Sequence, residues 1–264
     1  MANEYSSGAS PSASPMVRRL TTALAALLTF GSIMWAADIY RHVFGLLLFP
    51  QQIVSALLGI SAALVFLHHP AAKGPRGKVP WYDAVSAVAA LAAGFYVAVH
   101  FERLSMDQAF ATFEGVFLSG ILVLVILEGL RRVAGIVLLS IVLLFIAYAL
   151  FGEYVPGELQ GRAVNPDELA VYAVLDLHGL VGPIVGIALT IVVTFLFFGD
   201  LLFRSGGSGF FTDLSLILMG NFRGGSAKIA VTASALFGSI SGSAVANVAS
   251  TGVITIPMMK DGGY

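Results

Sequence analysis

The sequence predicts an all-α integral membrane protein of about six transmembrane helices followed by a re-entrant helical hairpin. Three observations carry that prediction: the composition, the length and number of the apolar runs, and the placement of the basic residues. Of 264 residues, 58% are hydrophobic and 11% charged, against roughly 25% charged in soluble domains. So much apolar surface cannot be hidden in one globular core, and the bilayer must act as solvent. A soluble enzyme, a secreted scaffold and a nucleic-acid binder are thereby excluded. The absence of cysteine removes disulfides, thiolate zinc sites, cysteine nucleophiles and iron–sulfur ligation.

Residues 1–16 are rich in Ser, Ala, Gly and Pro, with too little apolar area to offset the entropy of ordering them, and are expected to be a disordered cytoplasmic tail. Arg18 and Arg19 precede an apolar run at 20–37. That run could be a signal peptide, but it is long for one and lacks a small-residue cleavage site, so it reads as a first span. Further spans are expected at 43–67 (interrupted by Pro50), 81–101, 115–130, 133–151 and 180–203, each near the length needed to cross about 30 Å of hydrocarbon. Trp81, Tyr82, Tyr148 and Tyr154 fall near span ends, where amphipathic rings prefer the headgroup level. In the loop 152–179, Asn165, Pro166, Asp167 and Glu168 read as N-cap, first-turn proline and acidic first turn of a short helix to about Leu177 at the membrane surface.

The basic residues test this count independently. With a cytoplasmic N-terminus, the inner segments hold Arg18, Arg19, Lys73, Arg76, Lys78, Arg131, Arg132, Arg204, Arg223 and Lys228. The outer loops hold only Arg41, Arg103 and Arg162. That asymmetry is the positive-inside pattern.

Residues 229–259 do not fit a simple span, because they run without a charge and would make a helix of about 46 Å, longer than a membrane needs. Two full spans with a turn would need more residues. A hairpin over 225–260 built of two half-length helices remains, and it returns Lys228 and Lys260 to one side. Its break is expected at 238–247, GSISGSAVAN, where Gly tolerates non-helical dihedrals and Ser and Asn can bond freed backbone groups. Unwound carbonyls and hydroxyls suit a hard cation such as sodium, and half-helix N-termini suit an anion. The competing reading is close packing of small residues, with Gly238 and Gly242 as a GxxxG pair.

Other groups invite chemistry. His42, His68, His69, His100 and His178 raise a haem or metal hypothesis, and with it a redox membrane anchor, but all five are expected at or beyond helix ends. Glu128 with Arg131, Asp200 with Arg204 and Asp38 with Arg41 are spaced for local ion pairs. Asp83, at the start of the third span, reads as a cap or an interfacial group, with a proton relay as the sharper alternative. The acidic loop 152–179 could steer a basic partner face.

The stretch from Phe198 to the end, with GGSAKIAVTASALFGSISGSAVANVASTG followed by IPMMK and GY, resembles the permease of tripartite ATP-independent periplasmic (TRAP) transporters. LEGLRRVAG at 127–135 and FGEYVPGELQGRAV at 151–164 are similar to the fused permeases that work with TAXI-type binding proteins. The resemblance implies a small-subunit-like four-helix region at 17–131 and the first part of the large transport subunit at 132–264. It further implies sodium-coupled import of a small organic anion across a bacterial inner membrane, with no other cofactor and with delivery by a periplasmic binding protein. Sodium and substrate would meet the hairpin tip at Ser239, Ser241, Gly242, Ser243, Asn247 and Thr251, the first four being the sodium candidates. The family continues through an inverted second half with another hairpin, and this sequence stops at Tyr264. Only the N-terminal part is therefore expected here, needing a separate second half, and a non-transporting membrane assembly module stays open as the alternative.

Overall fold

A computed structural model describes residues 15–71, 79–241 and 244–264. It is helical throughout, with no strand among the described residues, and six of its helices are long and apolar enough to cross a membrane. The protein is an all-α, multi-pass membrane protein. The helices are α1 (Pro15–Ala36), α2 (Ile39–Phe44), α3 (Pro50–His68), α4 (Trp81–Met106), α5 (Phe113–Val133), α6 (Ile136–Phe151), α7 (Pro166–Leu175), α8 (Pro183–Ile187), α9 (Val193–Leu202), α10 (Ser208–Met219), α11 (Gly225–Ser241) and α12 (Ala244–Asp261). Large apolar side chains such as Phe30, Leu124, Val137, Leu144 and Phe145 are more than half exposed, as surfaces in contact with lipid require. Trp81 and Tyr154 are likewise exposed at helix ends.

Four sequence expectations shift. The second span begins at Pro50, not at Val43: Phe49 occupies the N-cap, Pro50 the first turn, and the Gln52 side chain accepts from the Phe49 N–H at 2.9 Å. Proline lacks the N–H that an interior position would need, so the helix starts there. His100 lies inside α4, because that helix continues to Met106; its ring stacks on Tyr96 at 4.3 Å. Asp38 faces His42 at 3.5 Å rather than pairing with Arg41. The short helix expected from Pro166 is present and buries Val171, Val174 and Leu175 among α4 and α5 side chains. At its start the Asn165 amide donates to Glu168 at 3.0 Å, so the carboxylate, not the cap residue, is the acceptor.

The described residues form two compact units, divided at 191/192. In the first, α3 is the most enclosed span. It packs along α4 through Gly59 and Gly94, whose α-carbons approach so closely that a Cβ on Gly94 would stand 2.7 Å from the Ser55 carbonyl and 2.8 Å from the Gly59 α-carbon. One core joins Leu57, Val97, Phe101, Leu122 and Val174; another joins Ile60, Phe66, Ala90 and Val125. Beyond α8 the helix widens into a π turn at Ala188–Val192, and the buried Ser32 hydroxyl of α1 lies 2.6 Å from the Leu189 carbonyl there. Below α7, Asp176 accepts the His178 N–H at 2.8 Å, which holds its carboxyl below the ordinary range, aided by the Gln108 amide at 3.3 Å.

At one end of α3, α4 and α5 a charged cluster ties the helices. Arg132 donates to Asp83 at 2.7 Å, to Glu128 at 2.7 Å and to the His69 carbonyl at 3.1 Å, and its guanidinium lies over the Phe66 ring at 4.6 Å. Asp83 is wholly buried. Arg131 pairs with Glu128 through two bonds of 2.7 and 2.8 Å and reaches the Ala71 carbonyl at 3.2 Å. The expected pairs Glu128–Arg131 and Asp200–Arg204 (2.7 Å) are thus formed.

In the second unit, α11 packs against α9, α10 and α12, and buries Ile229, Ala233 and Phe237.

Candidate functional site

Helices α11 and α12 form an antiparallel hairpin. Its open end is drawn shut at the base: a Cβ on Gly262 would stand 2.7 Å from the Ser226 hydroxyl, and one on Gly224 would stand 3.0 Å from the Tyr264 hydroxyl. Gly224 takes a positive φ of 72°, a conformation glycine allows cheaply, and so the chain enters α11 beside the point where it leaves α12. Lys228 and Lys260 therefore share one end of the hairpin, as the sequence argument requires. The half-length expectation is corrected. The arms have 17 and 18 residues, about 26 and 27 Å at ~1.5 Å per residue, because both helices extend beyond the charge-free run to take in the lysines.

Of the sequence candidates, Gly242 and Ser243 lie outside the described residues, and Ser241 closes α11 as its last residue. The other three are placed. Asn247 reaches across the hairpin, its amide donating to the Ser234 carbonyl of α11 at 3.0 Å. It sits against Gly238, where a Cβ would meet the amide nitrogen at 3.2 Å. That contact gives Gly238 a specific reason to lack a side chain. Thr251, one turn along α12, donates to the Asn247 backbone carbonyl at 2.8 Å and lies 3.4 Å from its side-chain oxygen. Ser239 is exposed and donates to the Leu236 carbonyl at 2.8 Å.

Thr255 was missed by sequence reasoning. It continues the series Asn247, Thr251, Thr255 at a spacing of four, which stacks the three on one face of α12. Both threonines are buried, and Thr255 donates to the Thr251 carbonyl at 2.9 Å. The regular spacing was the available signal. Pro257 sits inside α12 and supplies no N–H to the turn before it, which loosens the backbone next to the threonines.

Chemically the face is a set of neutral oxygens. Each hydroxyl gives its proton to a carbonyl of its own helix and keeps its lone pairs, which a hard monovalent cation accepts well. No group of three or more His, Cys, Asp or Glu is gathered among the described residues, so a transition-metal site has no donor set there.

Comparison with known proteins agrees with this architecture. A stretch of 70 residues is 37% identical to a putative TRAP transporter large permease protein of Haemophilus influenzae; it takes in 26% of this chain and 16% of that protein. No solved structure matches the chain. Residues 121–264, more than half of the chain, match the family described as tripartite ATP-independent periplasmic transporter, DctM component, and to that family of transporter permeases the chain belongs.

Proposed function

We propose that this chain is the permease component of a secondary transporter that imports a small organic anion together with sodium. It would lie in the bacterial inner membrane with its N-terminus in the cytoplasm. A periplasmic binding protein, of the TAXI type by the sequence resemblance, would deliver the substrate to the outer face, where the acidic loop 152–179 offers a charged docking surface. The hairpin would work with further permease segments that supply the opposite wall of the site.

One observation carries this reading. Asn247 and Thr251 stand one turn apart on α12 as neutral oxygen groups, and Asn247 is held against α11 by its bond to the Ser234 carbonyl, in a chain whose family transports. Neutral oxygens bind sodium without a proton exchange, and a helix break at membrane depth is tolerated where it lines a cavity. Ser239, Ser241, Gly242 and Ser243 would contribute the remaining sodium contacts.

The test is uptake of candidate carboxylates into proteoliposomes holding the chain with the rest of its permease and its binding protein. Sodium outside is expected to be required, and Thr251→Ala to raise the sodium concentration needed for half-maximal uptake about tenfold, the cost of one lost ligand of ~1.4 kcal/mol. Uptake of equal rate in choline or potassium would overturn the sodium coupling. Uptake by the 264-residue chain with the binding protein alone would overturn the need for further segments.

A further inference from the structure

Residues 43–49, VFGLLLF, read in sequence as the start of the second span, but α3 begins only at Pro50 and leaves them outside it. Val43 and Phe44 close α2, and residues 45–49 are not helical. All six large side chains of the stretch, Val43, Phe44, Leu46, Leu47, Leu48 and Phe49, are exposed, from 36% at Leu48 to 85% at Leu47. The stretch is nevertheless held in place at both ends. Trp35, in the last turn of α1, stacks on Tyr40 of α2 with ring centroids 4.4 Å apart. Gly45 takes a positive φ of 64° and turns the chain out of α2; its N–H donates to the Arg41 carbonyl at 3.1 Å, and the Leu46 N–H donates to the Tyr40 carbonyl at 3.2 Å. At the far end the Phe49 N–H is held by Gln52, and the Phe49 ring lies 6.4 Å from that of Phe101 on α4.

We propose that residues 39–49 lie in the bilayer surface as an anchor between α1 and α3, with the side chains of 43–49 among the upper acyl chains and Arg41 and His42 of α2 at the headgroups. Three observations choose lipid as the partner. First, α1 and α3 are both long and apolar enough to span, so the connector between them starts and finishes at one membrane boundary. Second, the apolar stretch adjoins exposed Arg41 and His42 and the stacked Trp35 and Tyr40. Basic groups and amphipathic rings beside large apolar side chains are the composition of a segment lying at the boundary of headgroups and acyl chains. Six large apolar side chains kept in water would instead be a surface that soluble faces avoid. Third, the Leu47 and Leu48 N–H groups have no hydrogen-bond partner among the described residues. Hydrocarbon does not tolerate that, so the backbone stays at headgroup level while the side chains dip below it. The inference holds whichever leaflet the connector faces.

The chain has no cysteine, so a spin label on a single introduced cysteine reports its own depth, here in the full chain in phosphatidylcholine nanodiscs. Depth is read from collisions with oxygen, which enters lipid, against those with a nickel chelate, which stays in water. Leu47→Cys and Val43→Cys are expected to read about 5–10 Å into the bilayer surface. Leu144→Cys, exposed near the middle of α6, is expected to read deeper, and Arg162→Cys, exposed in the loop after α6, to read as water. Circular dichroism checks that each variant is folded, and because positions 43 and 47 report independently, either one decides. Nickel access at 43 and 47 equal to that at 162 would put the stretch in water. Low access to both reagents would put it against protein, and a depth equal to that at 144 would put it inside a span. Each of these three results would overturn the proposal.

Discussion

Asp83 and Glu128 both pair with Arg132, at the same 2.7 Å, but they meet different solvents. Asp83 has no exposed surface, and the Arg132 side chain is 3% exposed, while Glu128 keeps a third of its side chain exposed. Removing one partner of a buried pair strands the other charge in a low dielectric and costs about 3–5 kcal/mol, whereas a partly solvated pair contributes ~1 kcal/mol or less. Asp83→Ala leaves Arg132 only the partly exposed Glu128 and the His69 carbonyl, whereas Glu128→Ala leaves it its buried partner, so Asp83→Ala is expected to destabilise the folded chain more than Glu128→Ala, read from denaturant midpoints in detergent. Equal midpoints would show that Arg132 finds water when Asp83 is gone. The pair also marks where sequence reading stops. Glu128 and Arg131 stand three apart on one helix and were readable from spacing; Asp83 and Arg132 are 49 positions apart and meet only because α3, α4 and α5 end together. The same limit applies in the hairpin, where the types of oxygen donor were legible but the bond from Asn247 to Ser234 needed the fold.

Among the elements, the crossing of α3 and α4 depends on two single glycines. Neither belongs to a GxxxG pair, so the motif that drew notice in the sequence, Gly238 with Gly242, was not the one that sets this packing. The legible signal was broader: Ser55, Gly59 and Ala63 on α3, and Ala90 and Gly94 on α4, are small residues at steps of four, which lets backbones approach closely. Gly94→Ala would place its methyl group against the Ser55 carbonyl and the Gly59 α-carbon, both backbone, so neither neighbour can rotate away. The expected cost is about 1–3 kcal/mol, as for other overpacked sites. Gly120→Ala on α5 is the control. Nothing lies within 4 Å of its Cβ position, and alanine is the better helix former by up to ~1 kcal/mol, so its thermal midpoint is expected to stay level or rise. A Gly94→Ala midpoint equal to that of the control would mean that α3 and α4 can separate freely.

For the whole molecule, composition and charge placement were enough for the class of fold and the number of spans, since both follow from what lipid excludes. Helix ends were less legible: the proline that lacks an N–H sets the start at Pro50, and α4 runs on past Glu102 and Arg103 to Met106. The sidedness of the hairpin is where the two kinds of information meet. In the proposed orientation, the positive-inside pattern of the sequence would assign Arg18, Arg131 and Lys228 to the cytoplasmic side. The closed base of the hairpin, with Gly262 against Ser226, puts Lys260 at the same end as Lys228. A single helix through 229–259 would instead place Lys260 on the opposite face. Because the chain has no cysteine, one introduced at a time reports its own side without background. Cysteine at position 228 or 260 is expected to react with an impermeant maleimide only after the inner face is opened, in step with cysteine at position 18, whereas cysteine at position 162 is expected to react from outside intact cells. Labelling of position 260 from outside with position 228 still protected would make 225–261 a crossing rather than a hairpin, and would remove the shared break on which the proposed sodium site depends.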